Sequence, residues 1–498
     1  MKKLFCAILA IFASASIFAA TMNQKVRSVP KDILEKVFSQ PKENLPQLVK
    51  SLVNGVSGES AKVKVLHDWI CDNIAYDTDM YFSGRVSDQD YESVLKKKKG
   101  VCAGYTNLMS AMCYYAGVEA FGVMGYSKGF GYAGKLGKQT DHAWNVVKIG
   151  SSWKLVDVTW DAGYVDWKTW IKHYSDEWFF LPPEQFIYSH LPEKEEYQYL
   201  KNPISAEQFV KEPYVAGKFF RYGFSLGKNI PDYTTIISGE AEFDFGLSGS
   251  GVSVNSLIHD KNSGRNVEGA SWITRSPSSI AAKFDVPDKK DYRALLFAKK
   301  TAEVRYSDRF SIGQFEGQIV PGVEKLFAEK KITKVEYEHF MGAFFKVDEN
   351  GFYYQSEDLF ATGRNNAILK IFKLLGMNPD YFEPVLDFVI KADDSYDGFG
   401  STGKYPYAYM NYDSATNTRL VSPAASSLKK GETVRFEIVS KDFSGIGVSV
   451  AGALERLSKD PKTGAFVGEL TVGDVEQVVV YGTKNGKNYS GLWFYTVE

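Results

Sequence analysis

Residues 141–161 read DHAWNVVKIGSSWKLVDVTWD, and residues 98–115 read KKGVCAGYTNLMSAMCYY. In the first stretch two strand-like runs flank Gly150 and Ser151. One face of the first run carries His142, Trp144, Val146 and Lys148, and one face of the second carries Trp153, Leu155, Asp157 and Thr159. A two-residue turn at Gly150–Ser151 pairs Ile149 with Ser152, sets Trp144 opposite Asp157 and sets His142 opposite Thr159. Asp157 is then the diagonal neighbour of His142 on one sheet face, within reach of a side-chain hydrogen bond. A slip of one residue would put the two on opposite faces.

The second stretch places Cys102 between Gly100 and Gly104, at the start of a helix with an apolar face of Leu108, Met112 and Tyr115 and a stop at Gly117. A thiol at a helix N-terminus feels the positive end of the dipole, which favours the thiolate. The free backbone N–H groups there supply part of an oxyanion hole. Cys102, His142 and Asp157 are the residue types of a nucleophile, its base and an orienting acid. Each also has a structural reading: a buried inert cysteine, a satisfied sheet histidine and a carboxylate capping a turn.

The chain opens MKKLFCAILAIFASASIFAA, with two lysines, an apolar run and small residues at its end. This is the layout of a secretory signal peptide, with cleavage expected near Ala20 and a secreted or periplasmic product without a membrane span. Loss of Lys2 and Lys3 moves the formal charge from -1 to -3, a balance that excludes nucleic acid as a partner. Aromatics at 15% suit β-rich domains or a face that contacts peptide or carbohydrate. Without Cys6 the cysteines are Cys71, Cys102 and Cys113, an odd set that leaves at least one thiol unpaired within the chain. No CxxC pair or His/Cys cluster suggests zinc, and no metal or cofactor is expected. DENG at 348–351 has its glycine at the fourth position, where a calcium loop needs it at the sixth, and reads as a turn.

Helical periodicity places Leu45, Leu48, Val49 and Leu52 on one face, and Val63, Leu66, Ile70 and Ile74 on another, with Ser57 or Ser60 as N-cap. Farther on, GVSVNSLIHDKNSGRNV from Gly251 matches GVSVAGALERLSKDPKTGAFV from Gly447, aligning Asp260, Gly264 and Val267 with Asp460, Gly464 and Val467. Strand-like runs flank both copies, which predicts two related β-sandwiches. The organisation expected is a leader (1–20), a core with an extension (21–223), a first sandwich (224–315), a helical segment (316–400) and a second sandwich (401–498).

GVCAGYTNLM, DHAWNVVKI and WKLVDVTWD resemble the three blocks of the transglutaminase-like superfamily, whose Cys, His and Asp fall on Cys102, His142 and Asp157. The upstream VLHDWICDNIAYD and the downstream stretch from Glu177 resemble the kyphoscoliosis-peptidase-type branch. The resemblance implies an α+β fold, with a papain-like core followed by two immunoglobulin-like β-sandwiches and a helical segment between them. It implies acyl transfer from a protein or peptide amide through a Cys102 thioester. It also suggests Trp69 as an aromatic donor to the oxyanion, though the spacing departs from the family's pattern. His190 falls in the extension and reads as a packing residue. Three functions stay open: a peptidase or amidase, a cross-linking transglutaminase, and a non-catalytic scaffold whose sandwiches bind a surface protein or glycan.

Overall fold

The computed structural model describes residues 29–166, 168–248, 252–276, 278–300, 319–343, 383–400, 403–408 and 418–498. It also describes residues 26, 309–311, 346–347, 352–354, 371 and 374–375. The leader expected over 1–20 and the DENG turn lie outside the described residues. The chain divides into two compact units, one of residues up to 129 and 135–209, the other of residues 130–134 and 210–498.

The first unit begins with helices α1 (Lys31–Ser39), α2 (Pro41–Val53) and α3 (Glu59–Asn73). The predicted faces are the buried ones: Leu45, Leu48, Val49 and Leu52 on α2, and Val63, Leu66 and Ile70 on α3. The expected serine cap is not used. Helix α3 starts after Gly58, whose φ of 83° is a conformation that serine would adopt only with strain. Helix α4 (Tyr91–Lys97), capped by the Asp90 side chain, leads into α5 (Cys102–Tyr115). Helix α5 buries Leu108, Met109 and Met112, whereas Tyr115 is exposed. These helices share one core with Val147, Val156 and Val158, and each large aliphatic side chain buried there contributes about 1.5–3 kcal/mol.

A five-stranded antiparallel sheet completes the unit. It is built from β1 (Ala120–Ser127), β2 (His142–Ile149), β3 (Ser152–Val156), β4 (Phe179–Leu181) and β5 (His190–Pro192), in the order β4-β3-β2-β1-β5. The β2–β3 hairpin has the anticipated register, with Ile149 opposite Ser152 and Asn145 opposite Val156. Gly150 takes the left-handed conformation at its turn, with φ 59°. Strand β3 ends one residue before Asp157, however, and a single helical turn, α6 (Val158–Ala162), follows. Thr159 therefore lies in that turn and not opposite His142, because the Asp157 side chain caps the turn and ends the ladder.

The second unit contains the two sandwiches. In the first, one sheet has the order β6-β8-β11-β10, from β6 (Phe224–Leu226), β8 (Ala241–Leu247), β10 (Ser271–Arg275) and β11 (Ser279–Phe284). The facing sheet joins β9 (Val252–Asp260), β12 (Tyr292–Lys300) and β13 (Glu383–Ala392), with β7 (Thr234–Ile237) parallel to β13. The second sandwich repeats this plan, with one further short edge strand at Leu454–Arg456. One sheet runs β14-β16-β19-β18, made of Thr418–Ser422, Thr433–Ser440, Ala465–Thr471 and Ser458–Lys459 in that order. The other joins β17 (Gly445–Ser449), β20 (Gln477–Thr483) and β21 (Ser490–Val497), with β15 (Ser427–Leu428) parallel to β21. This is the ABED and CFG arrangement of immunoglobulin-like domains. The matched aspartates make the same turn: the Asp260 and Asp460 carbonyls accept from Gly264 and Gly464, whose φ values are 69° and 71°.

Two boundaries differ from the sequence reading. Residues 210–223 belong to the second unit, because Tyr214 and Val215 pair with Asp387 and Leu386, and Phe219 stacks on Phe224. The stretch 316–400 is not a helical segment between two closed sandwiches. Helices α7 (Val320–Ala328) and α8 (Lys334–Ala343) precede β13, the closing strand of the first sandwich, so they lie within an insertion between its last two strands. EPVLDFVIKA falls within the stretch read as helical, and it lacks the apolar–polar alternation that marks a half-buried strand. It is buried from Val385 to Ile390 as a central strand must be.

Candidate active site

Cys102 is the first residue of α5 and is half-buried, with Val101 in extended conformation as N-cap. Several polar ties fix this helix end. Asn145 Nδ2 on β2 donates to Thr106 O at 3.0 Å and to Ser110 Oγ at 2.9 Å, pinning the helix to the strand that begins at His142. The Val101 N–H donates to Gln89 Oε1 at 2.8 Å, and Tyr105 Oη donates to Ile74 O at 2.7 Å.

His142 opens β2 and is buried, with Nε2 2.7 Å from Asp157 Oδ2. Asp157 divides its two oxygens between two tasks. Oδ1 accepts the Thr159 and Trp160 N–H groups at 2.9 and 3.2 Å and so caps α6, while Oδ2 takes the imidazole. With Nε2 engaged by Asp157, Nδ1 is the nitrogen left to act on Cys102, one of the groups that favour the charged ring. Burial disfavours a charged His142, but the Asp157 charge and hydrogen bond, with Cys102 beside them, outweigh it and raise the imidazole to about 10. Burial likewise opposes the Asp157 charge, yet His142 and His190 hold its carboxyl well below the usual range. The arrangement suits a thiolate–imidazolium pair oriented by a carboxylate.

His190, a packing residue on the sequence reading, is a hydrogen-bond partner of Asp157. Its Nε2 lies 3.1 Å from the same Asp157 Oδ2, and its Nδ1 lies 2.7 Å from Ser189 Oγ. Burial pushes its imidazole down to about 4, against the pull of Asp157, so the ring is neutral near pH 7. A neutral ring donates from Nε2 to Asp157 and accepts the Ser189 hydroxyl at Nδ1. No sequence spacing links His190 to Asp157. Pairing of Tyr126 with Leu191 and of Ser127 with His190 brings β5 alongside β1 and supplies the contact. The donor atoms of His142, Asp157 and His190 lie within 4.8 Å of one another and serve as one hydrogen-bonded set.

The aromatic residues sort into walls and core. Trp160 stacks on His142 at 5.1 Å and Trp144 lies at 6.1 Å, whereas Trp153, opposite Lys148 near the turn, packs on Phe121. Trp69 is fully buried in the helical core, stacked on Phe38, and its indole N–H has no partner. Its ring contact among the described residues is with Phe38, and the oxyanion role stays an expectation from the resemblance. The period that buries Leu66 and Ile70 turns Trp69 into the same core. Tyr76 is nearer the chemistry: burial first, then the charges at Cys102, Tyr81 and Asp157, disfavour its phenolate. Cys71 and Cys113 are buried and, like Cys102, unpaired.

Residues 46–158, which hold all three proposed catalytic side chains, match the model of the transglutaminase-like superfamily. The chain carries a transglutaminase-like core. It is similar to kyphoscoliosis peptidase of Mus musculus, 35% identical over 235 residues, which cover 44% of this chain and 35% of that one. The Homo sapiens protein of the same name is 35% identical over 209 residues, covering 40% and 31%. Hillarin of Drosophila melanogaster is 29% identical over 202 residues, covering 38% and 24%. The chain thus spans about a third or less of the length of these curated relatives. The core is similar to that of the kyphoscoliosis peptidases, and His190 lies beyond the part that the superfamily model covers.

Proposed function

We propose that the protein is an exported thiol enzyme that opens protein or peptide amides, acting as a peptidase or amidase. The observation that carries this reading is the 2.7 Å His142–Asp157 bond beside a half-buried Cys102 at a helix N-terminus. The Cys102 thiolate attacks the amide carbonyl carbon, and the oxygen takes up the electron pair facing the backbone N–H of Cys102. His142 gives its proton to the departing nitrogen as the C–N bond breaks, leaving a Cys102 acyl-thioester. Water then attacks the thioester while His142 takes its proton. The C–S bond breaks, releasing the carboxylic acid and restoring the thiolate–imidazolium pair. Asp157 stabilises the imidazolium in both steps.

An amine in place of water would make the enzyme a cross-linking transglutaminase, the reading that the superfamily match favours as an alternative. Export rests on the first twenty residues. The sandwiches, in this reading, are surfaces that bring the core to a protein or glycan partner. The test is incubation with a glutamine-containing protein and a fluorescent amine, followed by mass spectrometry. New termini or deamidated glutamines, with a Cys102 acyl adduct, are expected. Stable amine incorporation would replace hydrolysis by cross-linking. No reaction that depends on Cys102 would leave the scaffold reading.

A further inference from the structure

A second buried array of ionisable groups lies one helical turn from Asp157, and the mechanism above makes no use of it. His67, on α3, is fully buried. Its Nδ1 is 2.9 Å from Asp68 Oδ1, and its Nε2 is 3.0 Å from Asp161 Oδ2. With both carboxylates ionised, a ring that has a carboxylate oxygen at each nitrogen is satisfied on both sides as an imidazolium, with two N–H donors. The other groups facing it are Cys71, with Sγ at 3.8 Å, and the rings of Tyr174 and Phe179. Asp68 is itself held by Lys64 at 2.5 Å and by Tyr174 Oη at 2.6 Å.

Asp161 connects this array to the site. It closes α6, and its N–H donates to Asp157 O at 3.2 Å. Its carboxylate accepts from Ser175 Oγ at 2.6 Å and from the Trp178 N–H at 3.0 Å. The Trp178 carbonyl in turn accepts the Asp157 N–H at 3.3 Å, and the Trp178 ring packs on Trp160 and His190, both of which contact His142. Cys71 adds a second tie from α3, donating to Val158 O at 3.7 Å, at the first residue of the turn. A five-residue helix has little stability of its own, so its orientation depends on what grips it. A buried ion pair is weak support for stability, because desolvation offsets much of the attraction, but it fixes geometry.

We propose that His67 is a positioning residue. As a buried bridge between Asp68 and Asp161, it clamps α6 to the helix that precedes the cysteine block and so aims the Asp157 carboxylate at His142. The inference rests on the thiol-enzyme reading and extends it to a residue that meets no reacting atom.

The test measures iodoacetamide labelling of Cys102 against pH, read on the Cys102 peptide, in wild type, His142→Ala and His67→Gln, with melting curves for each. Glutamine keeps the size but cannot donate to both carboxylates at once. With Asp157 off its line, His142 loses charge support. The His67→Gln rate at pH 7 should then fall by up to about tenfold, with the acid limb, where the thiolate forms, moving up by about one pH unit. A purely stabilising role would lower the melting temperature and leave the folded enzyme's profile in place, and that result overturns the proposal. If His67→Gln does not fold, Asp161→Asn, equal in size, is expected to shift the limb in the same direction, and an unshifted limb overturns the proposal equally. A wild type that labels like His142→Ala would remove the thiol-enzyme reading and this inference with it. A wild type that differs from His142→Ala while His67→Gln follows the wild type would remove only the positioning role.

Discussion

Replacing Gly104 by alanine in the first turn of α5 separates two opposed effects. In an open helix the change favours folding by about 0.8–1.0 kcal/mol, because alanine has less backbone freedom to lose. Here a Cβ would stand 2.5 Å from Gln89 Oε1 and 2.8 Å from Val94 Cγ2. Val94 is buried and β-branched, with little freedom to turn aside. Gln89 could swing away only by giving up the Val101 N–H at 2.8 Å and its Nε2 bond to Ser87 O at 2.9 Å. Overpacking of this kind costs about 1–3 kcal/mol, and a lost hydrogen bond about 0.5–1.5 kcal/mol. The steric terms win, and Gly104→Ala should destabilise by about 1–3 kcal/mol net. Because Gln89 also sets the backbone just ahead of Cys102, the labelling rate of Cys102 should fall as well. Urea melts with iodoacetamide kinetics on the folded variant check both parts. A Gly104→Ala protein as stable as wild type or more so, labelled at the wild-type rate, would refute the close packing at this helix end.

Further outcomes follow from the same geometry. His190→Phe keeps an aromatic ring against Phe186 but removes one donor from Asp157. A charge-assisted hydrogen bond is worth about 1.5–3 kcal/mol, so the acid limb of the labelling profile should rise by roughly 1–2 pH units. Trp69→Phe should lower the melting temperature through lost packing and leave acyl-enzyme formation within a few-fold of wild type; a loss on the order of 100-fold or more would restore its oxyanion role. His142 is raised in the folded protein from 6.5 to about 10, so its contribution to stability is complete below about 6.5 and is lost as pH rises toward 10. Urea midpoints measured from pH 6 to 10 should fall along this window, less steeply in His142→Ala.

The site was legible where its geometry is local. The hairpin register follows from Gly150 and from the period of two, and it puts Asp157 beside His142 without any knowledge of the tertiary fold. Helix α5 announces itself through its glycines and apolar spacing. His190 was not legible, because its contact depends on a distant strand docking beside β1, and a lone histidine in an aromatic stretch looks like packing. His67 shares that difficulty: its partner Asp161 lies across the core, and only the fold brings them to 3.0 Å. Trp69 is the opposite case, an assignment carried by resemblance alone at a residue that the fold buries in the helical core. In the β region the repeat of Asp260/Gly264 at Asp460/Gly464 made the two sandwiches visible. Strand β13 stayed hidden because its buried run has no alternation and is separated from its partner β12 by the insertion.

The central claim is that Cys102 and His142 act as one ionic pair oriented by Asp157. The most direct measurement is the rate of iodoacetamide labelling of Cys102 against pH in wild type and in His142→Ala. The pair predicts rapid labelling on a plateau that begins below neutral pH in wild type, with the plateau abolished in the variant. Slow labelling that climbs only near the free-thiol range of about 8.5, and identically in both proteins, would contradict it.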